Sequence, residues 1–144
     1  MSRGEVAEAT VTEGICELTL QTPDPRRLAA FYRDAFGWAL LAEDDDRVWL
    51  ACGDRARLGL WSPGRKEFGD RGGLHVHFAL SVRPERLDGL AERLRGLDVE
   101  VKGPVEHEGG DRSLYFEDPE GNVVEAWSFF EAGAGAREGV DALT

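Results

Sequence analysis

The chain has 144 residues, enough for one domain with a sizeable core. Its 28 Asp and Glu against 17 Lys and Arg give a net charge of -11, which argues against nucleic acid as a partner, because clustered Lys and Arg hold phosphate backbones. Met1 to Thr10 contains no apolar run, so neither a secretory signal nor a membrane span is expected. Cys16 and Cys52 form no CxxC pair, and read as reduced, buried thiols of a cytoplasmic protein.

Residues 1–12 read as a loose leader. Ile15 to Gln21 is a strand, with Cys16, Leu18 and Leu20 on one face and Glu17, Thr19 and Gln21 on the other. Thr22-Pro23-Asp24-Pro25 opens a helix whose apolar positions are Leu28, Phe31, Tyr32, Ala35 and Phe36, and Gly37 ends it. Strands are expected at Trp38–Ala42, Val48–Cys52 and Leu58–Trp61. Asp44-Asp45-Asp46 is a hairpin turn, since no EF-hand spacing follows it.

A glycine-rich, charged link runs from Gly64 to Gly73, and then the pattern restarts. Leu74 to Val82 alternates Leu74, Val76, Phe78 and Leu80 against His75, His77, Ala79 and Ser81. Pro84 opens a second helix with Leu87, Leu90, Ala91 and Leu94 on one side, stopped near Gly96. Strands at Val99–Val101, Ser113–Phe116 and Val123–Trp127 follow, and residues 132–144 read as a loose tail.

The two helices share wording: Pro25-x-Arg27-Leu28-x-x-Phe31 against Pro84-x-Arg86-Leu87-x-x-Leu90. Internal repetition of this kind speaks for architecture more strongly than any single element. The expected fold is α+β, two βαβββ modules (about residues 13–62 and 73–130) forming a partly open barrel around a cavity. A helix covers one face of each sheet, and alternation puts Glu17, His77 and Glu125 on the uncovered faces. Sheet edges in such a fold are best covered by a neighbour, which points to a homodimer.

The last strand carries the sharpest chemical signal. Asp118-Pro119-Glu120-Gly121 suits a tight turn, because proline presets φ and glycine tolerates φ > 0. The strand after it sets Glu125 on one face with Val123 and Trp127. A carboxylate among apolar neighbours is costly unless a cation, a metal or water meets it.

The duplicated pattern and the ending Phe116-x-Asp118-Pro119-x-Gly121-Asn122-x-x-Glu125 resemble the vicinal oxygen chelate superfamily, which includes glyoxalase I, bleomycin-resistance proteins, fosfomycin-resistance transferases and extradiol dioxygenases. The resemblance spans about residues 13–130. It implies metal ligands on the first and last strand of each module. By that likeness Glu17 stands where the family usually has His or Gln, His77 matches the first strand of the second module, and Glu125 is the glutamate of the closing motif. The fourth position falls on Gly59, a departure from glyoxalase I-like members and closer to the transferases, whose metal has three protein ligands. Thr19 and Tyr115 match residues near substrate in that group.

Two carboxylates and one imidazole suit a divalent ion such as Mn, Fe, Ni or Zn, with positions left for substrate oxygens. The first expectation is therefore a metal-dependent lyase, isomerase or transferase on a small oxygen-rich substrate, with Glu17, His77 and Glu125 as ligands. Glu125 or Glu17 would act as the general base. The alternative is a metal-free binding protein that sequesters an aromatic or cationic antibiotic-like compound, which the acidic charge and four tryptophans also suit. Trp61 and Trp127 are the expected cavity-wall residues, while for Trp38 and Trp49 a helix-facing or subunit-interface position is as open as the cavity. His75 lies nearer the rim than His77, and His107 is expected in solvent or in a lid.

Overall fold

The computed structural model describes residues 15–62 and 77–130. These fall into two compact units: residues 15–62 together with Asp118–Gly121, and residues 77–117 together with 122–130. The leader, the tail, the 64–73 link, His75 and residues 74–76 of the expected fifth strand lie outside the described residues.

In the first unit, β1 (Glu17–Gln21) leads into α1 (Pro25–Phe36), followed by β2 (Leu40–Glu43), β3 (Arg47–Ala51) and β4 (Arg57–Trp61). The strands form one sheet in the order β1-β4-β3-β2, with β1 parallel to β4 and the other pairs antiparallel. Proline at the first helical turn and the Asp24 side chain, which accepts from the Arg27 N–H at 3.1 Å, start α1. Gly37 ends it in the left-handed conformation, φ 72, where its N–H reaches the Arg33 carbonyl. The helix packs on β3 and β4, burying Leu28, Tyr32 and Ala35 with Val48, Leu50, Leu58 and Leu60. Each buried leucine contributes roughly 1.5–3 kcal/mol relative to exposure.

Tyr32 is the one core residue of α1 with a polar end. Its hydroxyl donates to Asp118 Oδ2 at 2.7 Å, and both residues are buried. Burial, and then the Asp118 charge, push the phenol far above its ordinary pKa, so it stays a donor. Asp118 also accepts from the Glu120 N–H at 2.9 Å through Oδ1, and its carbonyl takes the Gly121 N–H at 2.9 Å. Gly121 has φ 83, so the turn does require glycine there. Trp38 stacks on Tyr32 at 5.6 Å and on Phe36 at 5.0 Å, the helix-facing alternative. That stacking also delays the next strand, which begins at Leu40 rather than Trp38.

The second unit repeats the plan. β5 (His77–Ser81) precedes α2 (Pro84–Gly96), then β6 (Lys102–Glu106), β7 (Arg112–Glu117) and β8 (Val123–Trp127), in the sheet order β5-β8-β7-β6. Again the first and last strands are parallel. α2 packs Leu87, Ala91 and Leu94 on a sheet face that buries Leu114, Phe116, Val124 and Ala126. The architecture is α+β, two βαβββ modules, as the repeat implies.

Two expectations need correction. The strand expected at Val99–Val101 begins only at Lys102, because Asp98 takes φ 62 directly after the helix and Leu97 still bonds back to Arg93 and Leu94. Pro104 is tolerated in that strand because β6 is an edge with a register shift between Lys102 and Val105. The thiols are free but not both buried: Cys16 is exposed and Cys52 half-buried. Cys16 precedes edge strand β1, whereas α1 covers β3 and β4. No helix among the described residues is long and apolar enough to cross a membrane.

Replacing Tyr32 by Phe removes one of the donors to the buried Asp118 carboxylate. The expected loss is about 1–3 kcal/mol of unfolding free energy, read by urea denaturation; an unchanged midpoint would show that the turn holds itself. Burial pushes the Cys52 thiol above its ordinary pKa. Mildly alkaline alkylation followed by peptide mass spectrometry should therefore label Cys16 well before Cys52, and equal rates would contradict the difference in burial.

Candidate functional site

Register fixes what each sheet presents opposite its helix. On the first sheet, Glu17 pairs with Arg57, Thr19 with Gly59, and Gln21 with Trp61. The next ladder continues those rows to Ala51, Trp49 and Arg47. One face thus carries Glu17, Thr19, Arg47, Trp49, Arg57 and Trp61, while the intervening leucines and Val48 go to the core.

This face is rich in donors. Arg57 Nε donates to Glu17 Oε1 at 2.6 Å, and Arg47 binds Asp44 Oδ2 through Nε at 3.1 Å and Nη2 at 2.8 Å. The Asp46 N–H, and then Arg47, hold Asp44 below the ordinary carboxylate range. The Arg47 guanidinium carbon lies 5.1 Å from the Trp49 ring centre and 5.5 Å from that of Trp61, and that of Arg57 lies 5.6 Å from Trp49. The two indoles meet edge to face at 6.2 Å. Their Nε1 atoms are buried and have no hydrogen-bond acceptor among the described residues. A buried donor left in that state costs about 1–3 kcal/mol. Two of them side by side call for an explanation.

On the second sheet, His77 pairs with Val123, Ala79 with Glu125, and Ser81 with Trp127, and β7 adds Glu117, Tyr115 and Ser113 to the same rows. Glu125 is 5% exposed. The His77 imidazole lies beside it, with Nε2 3.5 Å from Glu125 Oε1. Tyr115 is directly opposite Glu125 on β7. Two donors each bound to one ion at about 2.0–2.2 Å, at angles between octahedral and tetrahedral, stand roughly 3.0–3.5 Å apart. The imidazole and carboxylate therefore fit two neighbouring positions on a divalent metal. Within either unit, no three His, Cys, Asp or Glu of the described residues form a metal-holding group.

Of the residues singled out in the sequence, the structure brings His77, Glu125 and Tyr115 together on one sheet and Thr19 and Trp61 together on the other. Glu17 lies with the latter, engaged by Arg57. Trp127 is on the Glu125 face, and its Nε1 donates to buried Asp111 at 2.6 Å, so that N–H is already engaged within the protein. His107 is half-buried, not free in solvent: Nε2 lies 2.8 Å from Ser113 Oγ, and its ring meets Trp127 at 5.9 Å. Trp49, Arg47, Arg57 and Gly59 were not anticipated as a group. Their alternation, Arg47-x-Trp49 and Arg57-x-Gly59-x-Trp61, was the available signal, but only the register joins it to Thr19.

Comparison with known proteins bears on this arrangement. The metallothiol transferase FosB of Bacillus licheniformis is 32% identical over 120 residues, covering 78% of this chain and 73% of that protein. The glutathione transferase FosA of Serratia marcescens is 26% identical over 113 residues, covering 78% and 79%. The crystal structure of lactoylglutathione lyase from Agrobacterium tumefaciens superposes with a TM-score of 0.66 at 26% identity, covering 82% of this chain and 95% of that one. Residues 14–126 match the profile of the Glyoxalase/Bleomycin resistance protein/Dioxygenase superfamily, and the chain belongs to that superfamily.

Proposed function

We propose that this protein is a divalent-metal-dependent enzyme, a transferase, lyase or isomerase acting on a small oxygen-rich substrate. The observation that carries the reading is the His77–Glu125 pair, 3.5 Å apart on adjacent parallel strands with the carboxylate 5% exposed. A buried carboxylate with an imidazole at ligand-to-ligand spacing supplies two of the donors that a first-row ion such as Mn, Fe, Ni or Zn takes. Glu17 enters the proposed ligand set on the resemblance of the sequence alone. The relatives' names, a metallothiol transferase, a glutathione transferase and a lactoylglutathione lyase, make transfer or release of a thiol compound the first activity to assay.

The bound ion would act as a Lewis acid on a substrate oxygen. The chain's own groups do the rest. Burial keeps water from screening Glu125. That carboxylate, in the proposed base role, accepts a proton from substrate carbon or from an attacking group. Tyr115, opposite it, offers a hydroxyl that can hold the substrate in register. Binding of a cationic compound without metal is disfavoured on the first sheet, where two guanidiniums already occupy the indole faces. A homodimer remains part of the proposal, supported by edge strand β2 with exposed Leu40 and Leu41.

Elemental analysis of protein purified without chelators should find about one divalent ion per chain. His77→Ala and Glu125→Ala should each weaken metal affinity at least ~10-fold, the scale of losing one ligand contact, with far-UV circular dichroism unchanged. Wild-type protein that retains no ion after reconstitution with Mn, Fe, Ni and Zn would sink the proposal. A Glu17→Ala variant with unaltered affinity would remove Glu17 from the ligand set and leave it as the partner of Arg57.

A further inference from the structure

Of the three proposed metal ligands, Glu17 already has a cation on it. Arg57 Nε donates to Glu17 Oε1 at 2.6 Å, the short distance of a charge-assisted bond. The two residues face each other across the parallel ladder of β1 and β4. The second unit repeats that ladder, and there the residue facing His77 is Val123, which carries no charge. The two modules thus treat corresponding positions differently, and the first meets its carboxylate with a guanidinium.

This pair is built to open. The Glu17 side chain is 28% exposed and that of Arg57 52%. An ion pair at that exposure is screened by water and holds weakly. The Arg57 guanidinium carbon lies 5.6 Å from the Trp49 ring centre, so the indole face can keep the cation once the carboxylate lets go. A carboxylate that shares its charge with a guanidinium is a poorer donor to a metal, and the guanidinium repels a dication brought to the same group. A neutral hydrogen-bond donor would orient the carboxylate without that opposition.

We infer that Arg57 is an internal counter-cation for Glu17, which it holds in the ion-free protein and releases when a divalent ion takes the carboxylate. Arg57 thereby sets how much free ion the site needs, and ion binding frees a guanidinium on the first sheet. The inference rests on the placing of Glu17 in the ligand set proposed above, a proposal in which Arg57 has no part.

The test follows the Arg57 Nε–H signal in the full chain, ¹⁵N-labelled, freed of metal by chelation and titrated with Zn²⁺. The signal is assigned by its loss in Arg57→Gln. Zinc should carry it to the position it has in metal-free Glu17→Ala, with the same midpoint as zinc binding measured by calorimetry. Arg57→Gln should bind zinc about 2–5-fold more tightly than wild type, the scale of an exposed ion pair. That gain should vanish in a Glu17→Ala background, where no carboxylate is left to release. A gain of equal size in both backgrounds would reduce Arg57 to general positive charge and overturn the inference. So would an Nε–H signal that stays in place at saturating zinc, or weaker binding by Arg57→Gln, which would make the guanidinium a support for the ligand. Zinc held equally by wild type and Arg57→Gln defeats this inference alone. Zinc held by Arg57→Gln but not by wild type upholds it and overturns the metal proposal for the wild-type protein. Zinc held by neither removes both.

Discussion

In each module the first strand lies parallel to the last, and most of what the protein can do follows from that pairing. Parallel neighbours cannot be joined by a tight turn, so the chain must leave the sheet, build a helix and two further strands, and return. The helix then covers one face, with α1 over Leu58 and Leu60 and α2 over Leu114 and Phe116. Everything polar on the alternate positions is displaced to the opposite face. The pairing also sets the register that puts Thr19 beside Gly59, and Ala79 beside Glu125. Had either ladder slipped by one residue, leucines would occupy the open face and the carboxylate would point into the core.

The same scaffold carries unlike chemistry in its two copies. The first sheet presents guanidiniums, indoles and a hydroxyl, groups that donate hydrogen bonds. The second presents an imidazole, a carboxylate and a phenol, groups suited to metals and protons. A glycine stands at position 59 in the middle of β4, and a glutamate at 125 in the middle of β8. Equivalence of backbone and divergence of side chain let one duplicated fold carry two unlike sets of chemical groups.

Much of this was legible before any coordinates. The helices Pro25–Phe36 and Pro84–Gly96 and the strand Val123–Trp127 follow from prolines, glycines and period, because each is punctuated by residues with one strong backbone preference. Glu125 and His77 were legible because alternation alone places them opposite the helix. Strand β6 was not: Gly103 and Pro104 look like breakers, and only an edge position with a register shift explains a strand through them. Nor was the Trp49–Gly59–Thr19 row, which joins residues up to 40 apart through a ladder whose offset no local pattern encodes. Cys16 misled for a related reason: alternation gives it a face, but not whether the helix extends far enough to cover it.

Gly59 has a consequence for the history of the protein. Glycine in a central strand lowers sheet stability by roughly 0.5–1 kcal/mol relative to alanine, because the unfolded chain is freer and no side chain packs there. Strand propensity alone would thus favour another residue at this position, but a Cβ there would stand 3.0 Å from Trp61 Nε1, 3.2 Å from Thr19 Oγ1 and 3.3 Å from Trp49 Nε1. Propensity and packing therefore pull this residue in opposite directions. Drift toward a larger side chain would have to be matched by changes at Trp49, Trp61 or Thr19, so the four positions are tied together in the history of the lineage.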